Sequence, residues 1–199
     1  MMRFALELLT HFLASMLRLA AAAGLTVLLA FPLGWAAYRF KAVQFALRLL
    51  CAVPAMELLP VLMLLSGIGE FSKLLLLTLS GVWVCALRLG TAFARLQSFL
   101  LPFAVNHFPR RRALRCIVLP LLRCDLAEAF RQTFLVSITL LLFAENYGTR
   151  CGVGYYINHA WQAFDYAGVA WGMLLAAAMG LCCNVLLGLA VREFPNRSF

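Results

Sequence analysis

A carboxylate inside an apolar run demands a chemical reason, and this chain has one at Glu57, within "CAVPAMELLP". Placing it in hydrocarbon costs about 2.5–3.5 kcal/mol on insertion scales, so it must face a cation or a watery cavity. Pro54 and Pro60 bracket it and break the helix, which is where a transport path can form. Pairing with Arg88 or Arg95 is the structural alternative, and the residues alone leave both open. Glu145 closes "SITLLLFAENYG", where a long apolar run meets a polar one; composition favours an interfacial carboxylate over a path residue. Asp125, Glu128 and Arg131 follow Pro120 at helical spacing, so Glu128 and Arg131 form an i, i+3 pair that stabilises their helix. The stretch "FAVNHFPRRRALRCIVLP", residues 103–120, places Arg110, Arg111, Arg112 and Arg115 between two apolar runs. Pro109 suits the first turn of a short helix there. Such a loop is either a membrane anchor, worth about 1 kcal/mol per basic residue near anionic lipid, or a docking surface.

Other chemistries lack their residues. There is no glycine-rich phosphate loop, nucleophile elbow or histidine metal motif. His11, His107 and His159 lie in different segments, and the seven cysteines show no CxxC pair. Placed mostly inside apolar runs, the cysteines read as small buried apolar residues. The expectation is a chain without a catalytic site, metal or cofactor of its own. The net charge of +9 comes from basic residues set singly or in short clusters beside apolar runs. That pattern points to membrane orientation rather than to nucleic acid.

The elements that must position these residues follow from hydropathy. The chain has 199 residues, 64% of them hydrophobic and 13% charged, with a mean hydropathy of +0.92. That is more apolar surface than one soluble core of this size can hide, so the bilayer is the solvent. A spanning helix needs about 20 mainly apolar residues. Five segments qualify, at about 8–37, 43–65, 69–98, 121–146 and 165–191, which gives an all-α integral membrane protein of one domain, 1–199. No signal-peptide cleavage site is evident, and the N-terminal run continues into the first helix.

Orientation follows from the basic residues. With loops 38–48 and 99–120 and the C-terminus in the cytoplasm, that side holds nearly all of them, and the other side keeps only Arg3, Arg18, Lys73 and Arg150. The N-terminus is then outside. The outer segments are the N-terminus, the turn at 66–73 and an amphipathic piece at 146–168, rich in Tyr and Trp, that reads as interfacial or re-entrant.

The order of "VPAMELLPVLMLLSGIGEFSKLLLL" (53–77), "LRCIVLP" (114–120), "AEAFRQTF" (127–134) and "LLFAENYGTRCGVGYYI" (141–157) resembles the membrane-spanning permease subunit of bacterial ABC importers, in the branch handling nitrate, taurine and aliphatic sulfonates. The resemblance runs from about residue 11 to residue 192. It implies a five-helix permease core in the bacterial inner membrane, with loop 99–118 as coupling helices seated on a cytoplasmic ATPase. ATP would be bound and hydrolysed by that partner. The other implied partners are a second permease, identical or related, and an extracytoplasmic solute-binding protein. In the family's coupling pattern a Glu falls near Leu101 and a Gly near His107, and this chain has neither. Asn106 tolerates left-handed dihedrals, so the turn can survive. Docking then falls to Phe103 and Phe108 as apolar anchors and to the four arginines. The departure keeps a rival alive, a structural or regulatory membrane subunit derived from such permeases that no longer couples to ATP. A membrane-embedded enzyme is a weaker rival, for want of a catalytic constellation.

Overall fold

The computed structural model describes residues 2–96, 98 and 119–192. Among them every regular element is helical. The chain runs through α1 (Met2–Arg39), α2 (Lys41–Ala52), a 3-10 turn (Ala55–Glu57), α3 (Leu58–Ser66), α4 (Glu70–Arg95), α5 (Leu119–Ala144), α6 (Val153–Gln162) and α7 (Tyr166–Arg192). Four helices are long and apolar enough to cross a membrane, and the bent pair α2–α3 makes a fifth candidate. An all-α membrane protein is therefore what the sequence folds into.

The second apolar segment departs from the expectation of one span at 43–65. It is two short helices that meet at 82°. Val53 is extended (φ −76°, ψ 128°) because the following proline ring disfavours helical dihedrals there, and α2 stops. Pro60 breaks nothing. It lies in the first turn of α3, where its missing N–H would have had no intrahelical partner. The break thus belongs to Pro54 alone.

α1 and α4 lie side by side in parallel. Arg18 meets Glu70, Thr26 faces Gly81, Gly34 faces Leu89 and Ala37 faces Gly90, four contacts spread along the two helices. The backbones come close because glycine stands at the crossings: a Cβ on Gly81 would lie 2.8 Å from Thr26 Oγ1, and one on Gly34 2.6 Å from Leu89 Cβ. Van der Waals packing of this kind carries helix association where no hydrophobic driving force operates. α5 packs antiparallel on α4, and Cys85 Sγ lies 3.2 Å from Thr133 Oγ1. A core of Leu19, Leu77, Ile138, Leu141 and Met179 joins α1, α4, α5 and α7.

The expectation that the cysteines are buried holds for Cys85 and Cys183. It fails for Cys51, which is exposed, while Cys151 and Cys182 are half-buried. In hydrocarbon an apolar thiol needs no burial in protein, so hydropathy alone did not fix which way Cys51 faces.

Candidate functional site: a buried charge network

Directly after α5 the chain turns sharply, and the first residue of the turn is Glu145, fully buried. Such a carboxylate persists only if its oxygens find donors. It has three. Ser15 Oγ donates to Oε1 at 2.6 Å, Arg18 Nη1 to Oε1 at 2.8 Å, and the Gly154 backbone N–H to Oε2 at 2.8 Å. Arg18 spreads its fork further. Its Nη1 also donates to the Cys151 carbonyl at 2.8 Å, Nη2 donates to Glu70 Oε1 at 2.9 Å, and Nε pairs with Glu70 Oε2. Glu70 opens α4, where a carboxylate is favoured by the helix dipole.

The start of α6 is capped by side chains from elsewhere in the chain. Gly152 N–H donates to His11 Nδ1 at 3.0 Å, Val153 N–H to Ser15 Oγ at 2.8 Å, and Gly154 N–H to Glu145. These N–H groups are the orphan donors that any helix start leaves behind. Here α1 and the α5 end supply their acceptors, so three elements are tied at one point. Gly152 makes this possible: its φ is +145°, and a Cβ would overlap the Glu145 carboxylate. His11 also packs against Tyr156, with ring centroids 5.5 Å apart. Burial, with the Asp165 and Glu7 carboxylates, raises the Tyr156 hydroxyl above the ordinary phenol value.

Lys73 is the unsatisfied member. It is fully buried one turn along α4, its Nζ 3.8 Å from Glu70 Oε1, and it has no hydrogen-bond partner. The cluster matches two acidic side chains with two basic ones; Glu145 and Lys73 are its fully buried members, while Glu70 is 59% exposed.

Of the path and coupling candidates expected from the sequence, only Glu145 belongs to this network. Glu57 lies in the 3-10 turn at the α2–α3 bend, exposed, and among the described residues it pairs with neither Arg88 nor Arg95. Pro54 and Pro60 are exposed beside it. Glu128 bonds Gln132 Nε2 at 2.9 Å in place of the expected Arg131 pair, because i+4 is also a facing position. Loop 99–118, with Phe103, Asn106, His107, Phe108, Arg110, Arg111, Arg112 and Arg115, lies outside the described residues. Composition undervalued Ser15, Arg18, Glu70 and Lys73. A usable signal was present in the two cations Arg18 and Lys73, which stand on the charge-poor side of the orientation count.

No model of a known protein family matches the chain, and no curated protein matches it.

Proposed function

We propose that this chain is a permease half of an ATP-driven importer, of the ABC class its motif order resembles. The observation that supports this best is the architecture of the α4–α5 pair. The two helices pack antiparallel, and the sequence between them is the arginine loop. Their opposite ends are fastened to α1 and α6 by the Glu145–Arg18–Glu70 network. A partner that pushes on the loop then moves a stiff pair about 39 Å long, the length of 26 residues at 1.5 Å each, against an anchored far end. Packed elements with a fixed end respond to such a push as rigid bodies.

In this reading a cytoplasmic ATPase docks on loop 99–118, a second permease completes the path, and a binding protein delivers a small solute to the outer face formed by 66–73 and 146–164. The chain changes shape while its partner hydrolyses ATP. Glu57, exposed at the α2–α3 bend, is a path-lining candidate, and its charge favours cationic or neutral solutes over anions. The missing Glu and Gly of the coupling pattern favour the second reading, a subunit that has lost coupling.

Affinity purification of tagged protein in mild detergent separates the two. An ATPase should be recovered with the native chain and lost when Arg110, Arg111 and Arg112 are all changed to Ala. Folded protein that brings down no ATPase in either form rejects the importer reading and leaves the uncoupled subunit.

A further inference from the structure

We propose that a pocket between α1 and α5 binds a small neutral amphiphile with a hydroxyl head, taken from the surrounding bilayer. The proposal goes beyond the permease reading and does not depend on it.

Thr26, Thr133 and Ser137 line this pocket together with Leu19, Phe130 and Phe134, around about 260 Å³ of space that is open on one side. Gly81 of α4 brings its two walls to one level. A Cβ there would lie 2.8 Å from Thr26 Oγ1 and 3.3 Å from Thr133 Cγ2. Both walls belong to candidate spans, Leu6–Arg39 and Ala127–Ala144, so at this depth the surrounding medium is hydrocarbon.

The hydroxyls set the pocket apart from an ordinary crevice between helices. A serine or threonine inside a helix commonly returns its hydroxyl to a carbonyl three or four residues back. Thr10, Ser66, Ser80, Thr91 and Thr133 all do so. Thr26 and Ser137 do not. They are only 4% and 8% exposed, and neither hydroxyl makes a hydrogen bond among the described residues. Thr78, one turn before Gly81 on α4, is likewise buried without a partner. Hydrocarbon cannot satisfy such groups, and leaving them unpaired is costly, so the occupant of the pocket is one that hydrogen-bonds.

The lining also selects its chemistry. No charged side chain borders the pocket, so an ion would lose its water without gaining a counter-charge. A hydroxyl both donates and accepts, which matches the free hydroxyls of Thr26 and Ser137. Leu19, Phe130 and Phe134 give apolar contact to the carbons that follow the head, and the open side lets the rest of the chain run into the bilayer. A phospholipid headgroup is charged and stays at the membrane surface, which excludes it here.

The test uses the full chain in liposomes and two photoreactive probes, octanol bearing a diazirine on its chain and octane bearing the same group. Illumination should attach the octanol probe to segments 19–26 and 130–137, and excess unlabelled hexanol should displace it. The octane probe should show no preference for those segments. Thr26→Val combined with Ser137→Ala removes both free hydroxyls at nearly constant shape, and should cut octanol labelling of the two segments roughly tenfold. The same variant should unfold at or above the native midpoint, because the lost hydroxyls had no protein partner. Equal labelling by both probes would make the pocket a plain apolar crevice, and labelling of neither segment would leave the hydroxyls to water; either result overturns the proposal. It is equally overturned by octanol labelling that survives in the double variant, or by a lowered midpoint, which would assign the hydroxyls to the fold.

Discussion

Glu145 and Glu57 are both acidic residues beside apolar runs, and the fold treats them oppositely. Glu145 is fully buried with three donors, supplied by α1 and by the start of α6. Glu57 is exposed at a bend between two short helices and has no partner among the described residues. The first is bonded from two sides and fastens elements together, whereas the second is left available to whatever lies beside the bend. A carboxylate's role in a membrane chain is set by the donors that converge on it.

Removing the buried carboxylate tests the contrast most severely. Glu145→Ala leaves Arg18, Ser15 and the Gly154 N–H without their shared acceptor, and should lower stability in detergent by about 3–5 kcal/mol. A thermal-unfolding midpoint close to that of the native chain would show that the network fastens nothing. Gly152→Ala should follow at about 3 kcal/mol, because it combines a left-handed φ with overlap on the Glu145 carboxylate. Refolding yield and the same unfolding curve report it, and a neutral result would place the α6 start elsewhere.

Lys73→Met sharpens the comparison in the opposite direction. Glu70 keeps its Arg18 partner, and a buried ammonium without a hydrogen bond is replaced by an apolar chain, so stability should rise by about 1 kcal/mol. A clear loss would mean that Lys73 has an essential acceptor. Glu57→Gln should change stability by less than about 0.5 kcal/mol, as at an ordinary exposed site. If uptake of a cationic solute falls while the unfolding curve is unchanged, Glu57 acts on the path; a shifted curve would make it structural instead.

The orientation count needs refinement in the same terms. Arg18 and Lys73 stand on the charge-poor side, yet both lie inside the Glu70–Glu145 cluster. They are internal counter-ions rather than loop anchors.

Hydropathy and length alone gave the helical membrane class and the approximate bounds of the long helices, because the bilayer imposes about 20 apolar residues on any spanning helix. Pro54 marked the local break, since a proline acts on its immediate neighbours through bonded geometry. What the sequence could not order was the two carboxylates, or the partners each would meet. Ser15 and Arg18 precede Glu145 by 130 and 127 residues, and His11 precedes Gly152 by 141. No local pattern reports a hydrogen bond across such separations. Only the packing of α1 beside α4, with the α5 end folded over both, decided that Glu145 is enclosed and Glu57 is not.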